Sequence, residues 1–304
     1  MIPSVARRVK KDKIHTAVLT YVMKCVTLLN MDAVIDKNRV AHTVKATDIV
    51  SWLLSNGINA AATEDLSGLI GVPANQVRQR MAPLLKRGEM VSPARGLWIP
   101  IPYEYRQWGA PEAISYIDSM MRYLDAEYYV GWMSAAAILG ASHHAPQIFQ
   151  VATSKAVTNR TIGRSNLRFY QRGNVESLPT FRHMTKSGFA NVSTRAATML
   201  SVASDPGIAS GLDNAANIII ELSAAEEAFV GEIAACAGLF HISALRRLGW
   251  ILDNYADAGD LDQLAAISSD SGIKLSKLSM HRAYSACIDR KWHLDINERI
   301  SPDV

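Results

Sequence analysis

At 304 residues the chain is long enough for two or three domains with real cores, and 49% hydrophobic against 20% charged residues is ordinary globular composition, which excludes global disorder. The 32 Lys and Arg against 28 Asp and Glu leave a formal charge of +4, mild enough to permit nucleic-acid binding without establishing it. No apolar run reaches the length of a bilayer span, the start holds no signal-like h-region, and Cys25, Cys236 and Cys287 form no CxxC or Cys/His cluster. The expectation is a cytoplasmic protein with no membrane association and no zinc site.

The chain opens with a basic arm, Ala6 to Lys13, leading into an amphipathic helix with Ile14, Ala17, Val18, Tyr21, Val22, Cys25, Val26 and Leu29 at helical spacing. The arm either adds phosphate contacts or is a solubilising terminus. A second helix is expected from Ala46 to Ser55, stopped by Gly57 and burying Ile49, Val50, Leu53 and Leu54.

Thr63 to Pro102 reads as helix, tight turn, helix and β-hairpin, the order of a winged helix-turn-helix. Thr63 is placed to cap a helix through Leu69, with Glu64 and Asp65 in the first turn where the helix dipole favours anions. Gly71-Val72-Pro73 breaks the chain. From Ala74 the pattern is helical again, with Val77, Met81, Leu84 and Leu85 on one face; the other carries Asn75, Gln76, Gln79 and Lys86, flanked by Arg78, Arg80 and Arg87. Asn and Gln can bond adenine edges bidentately, and Arg can pair with guanine or phosphate. Gly88 stands as the residue after the helix. Met90-Val91 and Leu97-Trp98-Ile99 form the wing about a turn at Ser92 to Gly96, and Arg95 at its tip is placed to touch a backbone or minor groove. Pro83 lies inside the second helix, where a proline normally costs ~3 kcal/mol; the helix is kinked there or restarts at it.

Ile99 to Pro111 reads as a packed linker, with Tyr103, Tyr105 and Trp108 among its turn residues. The expected division is residues 1–44 as arm and helix, 45–102 as winged helix, 103–110 as linker and 111–304 as a second domain. In that domain Pro111 to Leu124 and Tyr128 to Leu139 read as helices, Gln147 to Thr153 and Leu167 to Gln171 as strands, and Thr180 to Ala190 as turn-rich. Asn191-Val192 reads as a brief strand before a helix at Thr194 to Val202. Helices follow at Leu212 to Leu222, Glu226 to Phe240, Ile242 to Asp257 and Leu261 to Ser268. The fold class is mainly α with short β segments (α+β): a winged helix-turn-helix, then a mostly helical domain with a small sheet.

The chain offers little for catalysis. There is no GxGxxG or Walker loop and no GxSxG elbow, while His143, His144, His183 and His241 stand outside any ligand pattern. Asp289-Arg290-Lys291 fits the D-x-K half of a metal-dependent nuclease motif, for which Asp253, Asp257 or Asp260 would be partners. A second feature is Arg246-Arg247, set in a helix whose apolar positions Ile242, Leu245, Leu248, Trp250, Ile251, Leu252 and Tyr255 cover a wide arc. Two arginines there need partners or a surface to emerge on: either a salt bridge to Glu226, Glu227 or Glu232, or a basic patch for a partner.

Together these segments resemble the AbiEi antitoxin family of abortive-infection toxin–antitoxin operons. The resemblance runs from Ala46 to Val304. It takes in GVPANQVRQRMAPLLKRGEMV with the wing PARGLWIP, then YYVGWMSAAAILGA, QIFQVATSK, RSNLRFYQR, VSTRAATMLSVAS, the RRLG-type helix ALRRLGWILDNY and the closing WHLDINERISPD. Residues 1–44 and Pro83 depart from the family pattern. The resemblance implies a winged helix that binds inverted repeats in double-stranded DNA of its own promoter, and a C-terminal domain that neutralises a nucleotidyltransferase-like toxin directly or functionally. It places DNA contact on Asn75, Gln76, Arg78, Gln79, Arg80 and Arg95, beside Lys86 from the face reading, and the antitoxicity surface on Arg246 and Arg247. It implies no catalytic residue, metal or cofactor. The alternatives are a stand-alone winged-helix regulator with a ligand-sensing or dimerisation domain, and a nuclease using Asp289 and Lys291.

Overall fold

A computed structural model describes residues 43–141, 147–224, 229–272 and 274–303. The N-terminal arm and first helix, His143, His144, Glu226 and Glu227 lie outside the described residues.

The N-terminal unit follows the expected order: α1 (Ile49–Ser55), β1 (Ala61–Ala62), α2 (Thr63–Ile70), α3 (Ala74–Lys86), β2 (Met90–Ala94) and β3 (Leu97–Pro100). The strands form an antiparallel sheet in the order β1-β3-β2. Ile49, Val50, Leu53, Leu66, Leu69, Val77, Met81, Leu84 and Trp98 make one core, whereas Leu54 and Leu85, expected on buried faces, are exposed. Gly71 ends α2 in the left-handed conformation (φ +66°), which glycine adopts without a Cβ clash. The Ser67 hydroxyl then donates to the Val72 carbonyl at 2.7 Å and tightens the turn.

Two local expectations change. Thr63 is not the cap but the first helical residue, Ala62 being the cap; the Asp65 carboxylate accepts from the Ala62 N–H at 3.1 Å. The Thr63 hydroxyl serves the wing instead, donating to the Gly96 carbonyl at 3.1 Å and accepting from the Trp98 indole N–H at 3.0 Å. Pro83 neither ends nor restarts α3, which runs as one helix through it. Proline lacks the N–H that would meet the Gln79 carbonyl, but both residues are exposed, so water can serve that carbonyl while Leu84 keeps its buried phase.

The linker is a 3-10 helix, Tyr103–Trp108, with Tyr105 buried and edge-on to Trp108 at 5.5 Å. A 3-10 turn (Ala113–Ser115) and α4 (Ile117–Tyr123) follow. Next comes a six-stranded mixed sheet ordered β6-β7-β5-β4-β9-β8, built from β4 (Tyr128–Val130), β5 (Ile148–Thr153), β6 (Arg160–Ile162), β7 (Ser165–Gln171), β8 (Thr180–Thr185) and β9 (Gly188–Ser193). Two expectations are corrected. Tyr128 to Val130 is the central strand β4 and not the start of a helix, α5 being confined to Trp132–Ile138; residues 180–193 form a hairpin and not a turn-rich stretch.

Side chains alternate across this sheet. Tyr128, Val130, Val151, Leu167, Phe169 and Val192 face α4 and the wing, sharing a cluster with Ala94, Leu97 and Ile99. Tyr129 and Ala152 face the other way, into the helical layer. The expected boundary at 103–110 is therefore crossed by a continuous core. The helical layer is α6 (Arg195–Ser204), α7 (Leu212–Ser223), α8 (Phe229–Ala237), α9 (Ile242–Tyr255) and α10 (Asp262–Asp270). The central helix α6 packs on α5, α7, α8 and α9, and its residues from Ala196 to Ala203 are all buried. A small sheet of β10 (Ser276–Lys277), β12 (Leu294–Asp295) and β11 (Ile288–Asp289) closes the far end. The α+β class holds. Among the described residues no helix is long and apolar enough to cross a membrane, and Cys236 and Cys287 are free thiols.

Candidate nucleic-acid interface and the buried arginine pair

Val77, Met81 and Leu84 are the buried residues of α3, so at about 100° per residue the outward direction is occupied by Asn75, Gln79, Ala82 and Lys86. Arg78 and Arg80 leave this face on opposite flanks, about 160° apart. Asn75, Gln76, Arg78, Gln79, Arg80, Lys86 and Arg95 are all exposed, and Arg78, Arg80, Lys86 and Arg95 make no ion pair within the described residues.

Asn75 and Arg78 line the same groove, of about 850 Å³, as the wing residues Arg95 and Gly96. Gln76, Gln79, Arg80 and Lys86 lie outside its lining. Two groove residues, Tyr123 and Arg160, come from the second unit and have no counterpart in the sequence reading. The Tyr123 hydroxyl donates to the Arg95 carbonyl at 2.9 Å, and Gly96 (φ +85°) has no room for a Cβ beside that hydroxyl. The Arg160 guanidinium donates to the Pro93 carbonyl and lies over the Phe169 ring at 5.7 Å. Burial pushes its pKa below the ordinary arginine value, against an opposing pull from Tyr116. The wing tip is thus held at Pro93 and Arg95 by side chains of β6 and α4. No local pattern could have disclosed this, because both contacts are long-range.

Arg246 and Arg247 are each only 1% exposed, which corrects their expected place on a partner surface. Nor do they form a salt bridge to Glu232; their partners are backbone carbonyls and serine hydroxyls. Arg246 donates to the carbonyls of Ser268 (3.0 Å), Gly272 (2.7 Å) and Lys274, and to the hydroxyls of Ser268 (3.3 Å) and Ser276 (3.2 Å). Arg247 donates to the carbonyls of Ala203 at 2.6 Å and Lys277 at 3.1 Å. Burial lowers the Arg247 pKa to about 10, partly countered by the charge of Asp205. The guanidinium forks tie α9 to the end of α6, to α10 and to the start of the small sheet. The Cβ-less Gly249, one turn on, lets the Trp292 ring lie against the helix.

The residues of the nuclease reading are engaged with one another and with Trp292. Lys291 pairs with Asp253 at 2.9 Å, Asp253 also accepts from the Trp292 indole N–H at 3.0 Å, and Asp289 accepts the Trp292 backbone N–H at 2.9 Å. These groups pin the terminal segment onto α9. Among the described residues no group of three or more His, Cys, Asp or Glu is placed to hold a metal ion.

The architecture defines an α+β protein in which a helix–turn–helix with a hairpin is docked on a mixed sheet covered by helices. Residues 129–254, running from β4 through α9, match the family model described as the AbiEi antitoxin C-terminal domain. The resemblance read from the sequence is borne out over this segment. The crystal structure of the RV2827C protein from Mycobacterium tuberculosis superposes with a TM-score of 0.58 at 16% identity, covering 82% of this chain and 90% of that one, and so shares the fold. No curated protein matches the chain.

Proposed function

We propose that the chain is an antitoxin that represses its own operon through the N-terminal unit, acting as a winged helix on inverted repeats, and that the domain spanning 129–254 counters a nucleotidyltransferase-like toxin. The observation that carries the DNA half is the convergence of Asn75, Arg78 and Arg95, from helix and wing, on one groove in which neither arginine has an ion-pair partner among the described residues. Unpaired cations beside an amide are the equipment for phosphate and base-edge contacts. The match to the antitoxin domain supports the other half.

The test is fluorescence anisotropy with duplex DNA from upstream of the protein's own reading frame, over a salt series. Arg78→Ala should weaken binding by roughly 1–3 kcal/mol if it reads a base, with smaller losses on unrelated DNA. If Arg78 touches phosphate alone, the loss is uniform across sequences and the salt slope flattens. Unchanged affinity in both Arg78→Ala and Arg80→Ala would rule out docking through α3. Coexpression with the neighbouring toxin frame tests the second half; absence of rescue by the wild type would leave a stand-alone regulator.

A further inference from the structure

The mixed sheet ends at β6 on one side and at β8 on the other. Strand β6 has three residues and lies against the wing strand β2, whereas β8 runs for six residues and pairs, among the described residues, with β9 alone. The direction of each backbone group follows from the turn. Thr185 and Gly188 flank the two-residue loop Lys186-Ser187, so they form the hydrogen-bonded pair that closes the hairpin. Bonded pairs alternate from there. Phe181, His183 and Thr185 bond to β9, while Thr180, Arg182 and Met184 turn their N–H and C=O groups away from it. No described residue bonds to those outward groups. An edge of this length is a template for another strand.

That edge opens onto a cavity of about 600 Å³ between the hairpin, the end of α1 and the linker, with Leu54, Ile58, Pro102, Ile114 and Met184 among its walls. All of residues 183–187 line it, side chains from both faces of the strand, and no residue of β9 does. A cavity on one face of the sheet would meet alternate residues of β8 and β9 alike; this one lies along the free edge. Its volume falls in the ~300–1,000 Å³ range of ligand sites, enough for a large apolar side chain. Met184 stands 73% exposed at its rim. Arg182, two residues back and so on the same face, lies over the Phe189 ring at 4.5 Å and makes no ion pair with a described residue. We propose that β8 takes up an extended peptide of a partner protein as an added strand, an acidic residue standing opposite Arg182 and an apolar residue two positions along, opposite Met184, entering the cavity. The outward main-chain groups supply affinity and the two side chains selectivity. Lys186 donates to the Tyr105 hydroxyl at 2.8 Å and the Asn59 amide to the Ser187 carbonyl at 3.1 Å, so the hairpin tip is held and the edge is preformed. The proposal does not rest on the DNA-binding reading.

The probe is a phage-displayed library of random heptapeptides panned on the full chain, with Met184→Pro as counter-target. Proline there removes one outward N–H and leaves the ladder to β9 intact, because that N–H makes no bond to β9. The expected result is enrichment of peptides with an acidic and an apolar residue spaced by two. They should bind Met184→Pro about tenfold more weakly and Arg182→Glu several-fold more weakly. Amide exchange read by NMR should be fast at Arg182 and Met184 in the free chain and slow by roughly tenfold or more with the enriched peptide, the His183 amide changing little. No enrichment over an unrelated protein, equal binding to Met184→Pro, or slowed exchange confined to other strands would overturn it. So would protection of Arg182 and Met184 in the free chain: if concentration-dependent, the occupant is a second copy, and if not, a segment of the chain itself. Should Met184→Pro not fold, enriched peptides N-methylated at alternate amides decide the question on the wild type, where retained binding would exclude strand addition.

Discussion

The Tyr123 hydroxyl donates to the carbonyl of Arg95 at 2.9 Å, so a side chain of α4 fixes a wing tip 28 residues earlier in the chain. Tyr123 is itself 38% exposed, and its bond forms at the surface where water competes. Tyr123→Phe should therefore leave the fold intact, lowering stability by ~0.5–1 kcal/mol or less. On the proposed DNA function it should weaken DNA affinity up to about tenfold, because the wing must be ordered on binding. The salt slope should not change, since no phosphate contact is removed. Anisotropy over a salt series together with thermal melts measures both; wild-type affinity in Tyr123→Phe would mean that the wing needs no anchor.

The wing anchor also marks where sequence reading stops. The run from Thr63 to Pro102 was legible because its determinants are local: Gly71 and Gly88 at left-handed positions, and Val77, Met81 and Leu84 at helical spacing. Strand β4 was not. Tyr128, Tyr129 and Val130 are buried on both faces, which erases the two-residue alternation, and the small residues of α5 follow directly. For Arg246 and Arg247 the wide apolar arc made burial of the helix legible but not the partners, because the carbonyls of Ala203 and of residues 268–277 carry no signal in side-chain identity. Arg160 and Tyr123 entered the groove through the sheet's topology, which no window of sequence contains.

The arginine pair should behave as a clamp. Removing either guanidinium leaves several buried carbonyls without donors, each worth ~1–3 kcal/mol when unsatisfied. Arg246→Ala and Arg247→Ala are expected to lower unfolding free energy by ~3–5 kcal/mol in urea titrations, the scale of two or more such groups left unsatisfied. Lysine should rescue poorly, since its ammonium cannot reproduce the planar fork. A variant that melts like wild type yet loses antitoxicity would return these residues to the role of a contact surface.

Gly249 explains the glycine of the RRLG segment. A Cβ there would overlap the Trp292 ring, and Trp292 is fully buried. Gly249→Ala gains ~1 kcal/mol of helix propensity but forces the indole aside in a filled core, a change that typically costs 1–3 kcal/mol. Net destabilisation is expected, and the double variant Gly249→Ala with Trp292→Leu should recover part of it. Equal or higher Tm in Gly249→Ala alone would show that the terminal segment yields without strain.

Asp253 provides the pH-dependent member of the same contact. Burial raises its pKa, but the hydrogen bonds from Lys291 and the Trp292 indole, with the charge of Lys291, outweigh that and hold it below the ordinary carboxylate value. A folded pKa below the unfolded one means the unfolded chain takes up its proton first as pH falls. The stabilisation is therefore complete above the ordinary Asp value of about 3.9 and is lost as pH falls through the lower folded value. The pair is part-exposed, so Asp253→Asn should cost only ~1 kcal/mol at neutral pH. The difference between variant and wild type should shrink as pH falls below about 4. Urea midpoints from pH 7 downward read this directly. A gap that persists unchanged into acid would mean that Asp253 acts through its shape and its bond to Trp292, with no contribution from its charge.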